Sequence, residues 1–308
     1  MRLLQEMSWP EIDAAQKECR TVILPVGAIE EHGPHLPTIT DTVQAMEVAR
    51  AVAEEKGLFL APPLYYGVCR STRRFPGTIT VGHDALRAYA KDLLVSFADS
   101  GFYRVMILTG HAGGQHMAAL EEAGQMAVEE RDFRVSVVSL FDLIDFSTVE
   151  TPHDGHAGEV ETSLMMVIRP DLVKGRPEGH FPKRPRFMIM KDVRQLMGNG
   201  IMGNPQPASP EKGRRYFQMA VDGVKAEGHA PVGQDRGRFP STPNPWIPAC
   251  AGMTPLLCSE IAEDRDSHPA HRPVLRHLIQ GVLDQAHEPQ KGCNPCYPDP
   301  RRYQLFPA

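Results

Sequence analysis

Four short stretches of this chain carry residue types that can do chemistry together. The first is Pro25-Val-Gly-Ala-Ile-Glu-Glu-His-Gly-Pro-His-Leu-Pro-Thr-Ile-Thr-Asp41, which contains Glu30, His32 and Asp41. Carboxylates and imidazoles together are the usual ligands of zinc-, manganese- or iron-type ions. Glu30 and His32 are two apart, so an extended backbone points them the same way. Asp41 follows a Gly/Pro-rich turn and can return to the same point. The second stretch, Leu108-Thr-Gly-His-Ala-Gly-Gly-Gln-His116, offers His111. Its glycines let backbone approach a ligand closely, and N–H groups near Ala112 and Gly113 can hold an anionic oxygen.

The third stretch is His153-Asp-Gly-His156-Ala-Gly-Glu159-Val-Glu161-Thr-Ser163. His156 and Glu159 are three apart and share a face if helical, whereas Glu161 does not share it with Glu159. Glu159 is therefore the preferred ligand and Glu161 the reserve. The fourth, between Tyr66 and Ile79, is a polar loop whose Arg70, Ser71 and Thr72 could bind a substrate carbonyl or carboxylate. Cys69 lies in this loop without a dedicated base, which disfavours a nucleophilic thiol.

The elements around these stretches place them. Thr21–Val26 and Arg104–Thr109 are apolar, β-rich runs that read as buried strands. A short strand is expected at 58–60 and another strand at 133–140. Helical periodicity predicts helices over 41–55, 83–100, 114–130, 159–168 and 210–226, with a short one after Ser8. Strands alternating with helices imply an α/β fold with a mainly parallel central sheet flanked by helices on both faces. Ligands of such sheets sit at the carboxyl ends of strands, where the first two stretches fall.

The chain has 308 residues and a formal net charge of −5, so no bulk basic field argues for nucleic acid. No apolar run is long enough to cross a membrane, and the N-terminus lacks a secretory h-region. Six scattered cysteines suit free thiols in a cytoplasmic setting. Composition shifts near Gly228. A catalytic domain is expected over 1–228, and 229–308 is expected to be a poorly packed extension. Cys293-Asn-Pro-Cys296 lacks a second pair to complete a zinc site. His83, His180, His229 and His268 have no partners in pattern and are expected at the surface.

Taken together, Val26-Gly-Ala-Ile-Glu-Glu-His-Gly-Pro-His-Leu-Pro37, Phe75-Pro-Gly-Thr-Ile79, Gly110-His-Ala-Gly-Gly114 and His156-Ala-Gly-Glu-Val-Glu-Thr-Ser163 resemble the ordered motif set of the creatininase family. Met202-Gly-Asn-Pro205 with Ala208-Ser-Pro-Glu-Lys-Gly213 resembles the family's closing segment. The resemblance implies two divalent metal ions, hydrolysis of non-peptide C–N amide bonds in a small-molecule amide, and a homo-oligomer, often a hexamer. By motif, Glu30, His32, Asp41 and His111 would be metal ligands, with Asp41 bridging. The last ligand would be a glutamate, placed at Glu159, and His156 would shuttle a proton. The ions, zinc, manganese or iron, would activate a water for attack on the amide carbonyl. Family relatives that trim a modified peptide or deformylate formamides give an alternative activity. A metal-binding protein without turnover is the alternative of another class.

The chain departs from the family's pattern at Glu31, where Gln is usual, and at Gly114, where Asn is usual. Its tryptophans, Trp9 and Trp246, both lie outside 140–190, where a tryptophan-bearing lid would close over creatinine. Creatinine itself is therefore disfavoured. Phe239–Thr254 resembles a translated bacterial intergenic repeat, which implies that the extension arose by read-through.

Overall fold

A computed structural model describes residues 1–183, 185 and 188–227. The boundary expected near 228, the extension beyond it, His229, His268 and the Cys293–Cys296 pair lie outside the described residues.

Five parallel strands form one sheet: β1 (Arg2–Leu3), β2 (Thr21–Val26), β3 (Phe59–Leu60), β4 (Arg104–Thr109) and β5 (Arg134–Ser139), in the order β1-β3-β2-β4-β5. The helices are α1 (Trp9–Gln16), α2 (Thr40–Lys56), α3 (His83–Asp99), α4 (Gly114–Glu130), α5 (Glu159–Ile168), α6 (Arg194–Met197) and α7 (Pro210–Glu227). Before α1, the backbone N–H of Ser8 donates to Glu11 Oε2 at 2.7 Å, tying the first turn. Gly57, in the left-handed region at φ 63°, ends α2.

All six residues of β2 are buried, because helices cover both faces of the sheet and β3 and β4 flank it. Strand alternation sorts side chains between two layers. Val22, Leu24 and Val26 of β2 pack with Val105 and Ile107 of β4 against Leu86, Ala90 and Leu94 of α3 and Ala119, Leu120 and Ala123 of α4. Ile23, Met106 and Leu108 face the other way, against Ala45, Val48, Ala49 and Val52 of α2 and Ala220, Val221 and Val224 of α7. A smaller cluster of Ile144, Val160, Leu164 and Tyr216 joins α5 to α7. Each large aliphatic chain buried in these layers contributes roughly 1.5–3 kcal/mol. The α/β expectation, helices on both faces of a parallel sheet, is the architecture observed.

The strand order sets the site. From β2 the chain runs through α2 to β3 on one side, then through α3 to β4 on the other. The topological switch therefore lies between the carboxyl ends of β2 and β4, where open α/β sheets leave a crevice. Gly110 lets the first turn of α2 close on the end of β4: a Cβ there would meet the backbone oxygen of Asp41 at 2.1 Å. His180, expected at the surface, is instead half-buried and its Nε2 is 3.0 Å from the Leu196 carbonyl. Among the described residues, no helix is long and apolar enough to cross a membrane.

Candidate metal centre

Glu30 and His32 leave the end of β2, Asp41 sits in the first turn of α2, His111 leaves the end of β4, and Glu161 sits in the first turn of α5. All five are buried. Among the described residues, donor atoms of His32, Asp41 and Glu161 lie within 4.8 Å of one another, as do those of Glu30, Cys69 and His111, and those of Glu30, His32 and His156.

Asp41 stands between two imidazoles. Its Oδ1 lies 2.9 Å from His32 Nε2, and its Oδ2 lies 3.3 Å from His111 Nδ1. Glu30 Oε2 is 2.8 Å from His111 Nδ1, and Glu161 Oε1 is 3.5 Å from His32 Nε2. A tetrahedral ion with bonds of about 2.0–2.1 Å sets its ligand atoms about 3.3 Å apart, so these separations suit ions lying among the groups.

The other nitrogen of each imidazole is tied down. His32 Nδ1 is 3.0 Å from the Glu30 carbonyl, and His111 Nε2 is 3.2 Å from the Val68 carbonyl. Only a ring N–H can bond a carbonyl, so the inward nitrogens, His32 Nε2 and His111 Nδ1, are the ones left to ligate. Thr72 donates to Glu30 Oε1, which leaves Glu30 Oε2 facing inward. Glu30 Oε2 and Asp41 Oδ2 are buried without a well-aligned hydrogen-bond donor. Such oxygens are costly unless a cation meets them.

The electrostatics agree. Burial alone would raise the Glu30 carboxyl, but the His111 and His156 charges outweigh it and hold it at about 2. Asp41 is likewise lowered against burial by His32 and His111. Burial opposes protonation of His32 and His111, yet the adjoining carboxylates raise both well above the ordinary imidazole value. Protons there supply the positive charge that the carboxylates demand, which is what an ion would supply in their place.

Behind His111, Thr109 Oγ1 donates to the His111 carbonyl and accepts from the His111 N–H at 3.1 Å. His116 accepts from the Val68 N–H at Nδ1 and donates from Nε2 to Thr109 Oγ1 at 3.1 Å. That pattern requires a neutral ring, and burial together with the His111 charge pushes His116 down to about 3. Sequence reasoning gave His116 and Thr109 no role; their place at a strand end and first helical turn was the available signal.

Glu159, the preferred last ligand, is a correction. Its carboxylate accepts from the Thr151 N–H at 2.8 Å, Lys212 Nζ at 2.8 Å and Tyr216 Oη at 3.0 Å, away from the cluster. Glu161, the reserve, faces His32 instead. The expected pairing of His156 with Glu159 assumed a continuous helix. The helix begins only at Glu159, and Ala157 between them has φ 53°, so the three-residue spacing does not align their side chains.

A cavity of about 540 Å³ opens over the cluster. Glu30, His111, His156 and Glu161 form its floor, and Arg70, Ser71, Thr72, Ala112 and Gly113 line it. The structure thus brings the expected substrate-binding residues to one pocket, although the Thr72 hydroxyl is already committed to Glu30. His156 Nε2 is 2.6 Å from the Glu31 carbonyl, and the His156 and Met202 backbones pair on either side. Burial and the His32 charge oppose protonation of His156, but Glu30, Glu31 and Glu161 outweigh them and raise it.

Known proteins resemble this chain over most of its described length. The chain is 32% identical over 219 residues to the mycofactocin precursor peptide peptidase of Mycobacterium ulcerans, covering 66% of this chain and 82% of that protein. It is 29% identical over 246 residues to the creatinine amidohydrolase of Pseudomonas putida, covering 71% and 93%. Among solved structures, a creatininase variant of Zn–Zn type superposes with a TM-score of 0.68 at 27% identity, covering 74% of this chain and 98% of that one. A manganese creatininase gives a TM-score of 0.67 at 26% identity, covering 74% and 99%. The family model for creatininase, described as creatinine amidohydrolase, matches residues 5–227, and this chain is a hydrolase belonging to the creatininase family.

Proposed function

We propose that the protein is a two-metal amidohydrolase that cleaves the C–N bond of a small amide other than creatinine. The observation that carries this reading is Asp41, with one oxygen toward His32 and the other toward His111. Glu30, His111 and one Asp41 oxygen would hold one divalent ion, and His32, Glu161 and the other Asp41 oxygen the second. The donor set suits zinc, manganese or iron. When bound, such ions would polarise an amide carbonyl and lower the pKa of a bound water.

The chain's own residues do the rest. Thr72 and the Val68 carbonyl orient Glu30 and His111. Arg70 and Ser71 offer donors at the pocket wall. At the start of α4 the His116 N–H is taken by the Gly113 carbonyl, but the Gly114 and Gln115 N–H groups precede any helical acceptor and line the pocket. His156, held toward its protonated form, can give its proton to the departing nitrogen. A peptidase is the second reading. It is favoured by Arg70, a guanidinium in the pocket suited to a peptide carboxylate, and by likeness to the M. ulcerans peptidase.

Self-association belongs to the same proposal, as a homo-oligomer and by family likeness a hexamer. Exposed Tyr65, Tyr66 and Tyr89 around one apolar depression support it. Free Cys19 and Cys69 support a reducing, cytoplasmic setting. Metal analysis of the purified chain, followed by a screen of lactams, hydantoins, formamides and short peptides, tests the function. His32→Ala and Asp41→Ala are expected to lose bound metal and turnover together. Full metal content with full turnover in Asp41→Ala would sink the reading.

A further inference from the structure

The two-ion arrangement leaves Cys69 without a task. Its side chain is 1% exposed, and its backbone N–H donates to Thr80 Oγ1 at 2.8 Å, which pins the loop that carries it. Its sulfur, a Glu30 carboxylate oxygen and a His111 ring nitrogen all lie within 4.8 Å of one another. Within that trio, Glu30 Oε2, 2.8 Å from His111 Nδ1, is buried without a well-aligned donor. As a free nucleophile the thiol is poorly served. Burial, with Glu30 and Asp41 adding to it, pushes its pKa far above the ordinary thiol range. A nearby cation reverses that balance, because thiolate is a strong ligand where thiol is a poor base.

We propose that Cys69 is a sulfur ligand of the ion at the Glu30–His111 position, and that it biases this position toward zinc over manganese. The inference rests on the two-metal reading. On loading, the S–H bond breaks, a sulfur–metal bond forms, and the proton leaves to solvent. Carboxylate and imidazole alone serve zinc and manganese alike, whereas a thiolate selects the softer ion.

Cobalt loading of the metal-stripped full-length protein provides the test. The wild type is expected to show an intense near-ultraviolet sulfur-to-cobalt charge-transfer band. Cys69→Ser and Cys69→Ala are expected to lose that band and keep the visible bands of the remaining ligands. In competition, their preference for zinc over manganese should fall roughly tenfold or more. Cadmium NMR of the wild-type protein reads sulfur ligation directly and does not depend on how a variant folds. Two bound cobalt ions without a charge-transfer band overturn the inference and leave the two-metal reading standing. A band that survives in both variants, arising from other cysteines, also overturns it. A chain that binds no metal overturns both.

Discussion

Glu159 and Glu161 sit two residues apart in the first turn of α5, and both are buried. Their surroundings differ completely. Glu159 is met by Lys212, Tyr216 and the Thr151 and Glu150 N–H groups, so every element it touches supplies a donor. Glu161 takes one N–H from Ala157 and otherwise faces His32, Asp41 and the cavity. A buried carboxylate whose lone pairs are filled by protein donors braces the fold. One that converges with other carboxylates on shared imidazoles needs added positive charge, from protons on those rings or from a metal ion in their place. The same residue type in one helical turn is thus structural in one case and chemical in the other, and donor accounting separates them where spacing did not.

The sharpest way to break this comparison is to remove each charge in turn. Glu161→Gln is expected to lose the ion held with His32 and to lower turnover by more than about 100-fold, beyond the usual cost of altering a supporting group, with little change in melting temperature. Glu159→Gln is expected to keep both metal equivalents and lose about 2–3 kcal/mol of stability. This lies below the full cost of breaking a buried pair because Lys212 reaches water and keeps Glu150 as a partner. Metal stoichiometry and thermal unfolding of the two variants check both outcomes; metal loss in Glu159→Gln alone would reverse the assignment.

A gentler probe is pH. Burial raises the Glu159 carboxyl, but Lys212 and the Thr151 and Glu150 donors outweigh it and leave the pKa lowered. A lowered folded-state pKa means that the unfolded chain binds the proton more readily. The contribution is therefore complete above the ordinary glutamate value of about 4.5 and fades as pH falls through the lowered one. Wild type and Glu159→Gln should differ in melting temperature at neutral pH and converge in acid. Parallel curves down to the acid transition would show that the Glu159 network is not what the proton breaks.

How much of this was legible in the sequence follows from the same physics. β2 and β4 read as Thr21–Val26 and Arg104–Thr109 because both are continuous apolar runs in a sheet covered on both faces. β1 did not, since a two-residue strand pairing only with β3 leaves no periodic pattern. Glu30, His32, Asp41 and His111 could be read as converging because each belongs to a strand end or the turn beyond it, and strand order brings those ends together. Glu161 could not be chosen over Glu159, because that choice turns on where α5 begins. A left-handed Ala157 and a Gly158 N-cap set that start, and neither has a signature in periodicity. His116 and Thr109 escaped notice because their role is to bond groups that are themselves only placed by the fold.

The smallest expected effect concerns the pocket wall rather than its floor. Arg70 is exposed and lines the cavity over the cluster, far less constrained than the buried ligands beneath it. An exposed guanidinium gains modest energy from a carboxylate, more when the contact is bidentate. Arg70→Gln is therefore expected to raise KM about tenfold for a substrate bearing a carboxylate near the scissile amide, through loss of about 1.4 kcal/mol, and to leave kcat nearly unchanged. For a neutral lactam or formamide, KM should stay the same. Parallel kinetics on one acidic and one neutral amide make the measurement. A selective rise for the acidic substrate favours the peptide-directed reading of the site. Equal effects on both would make Arg70 a wall of the cavity and leave substrate choice to the other residues that line it.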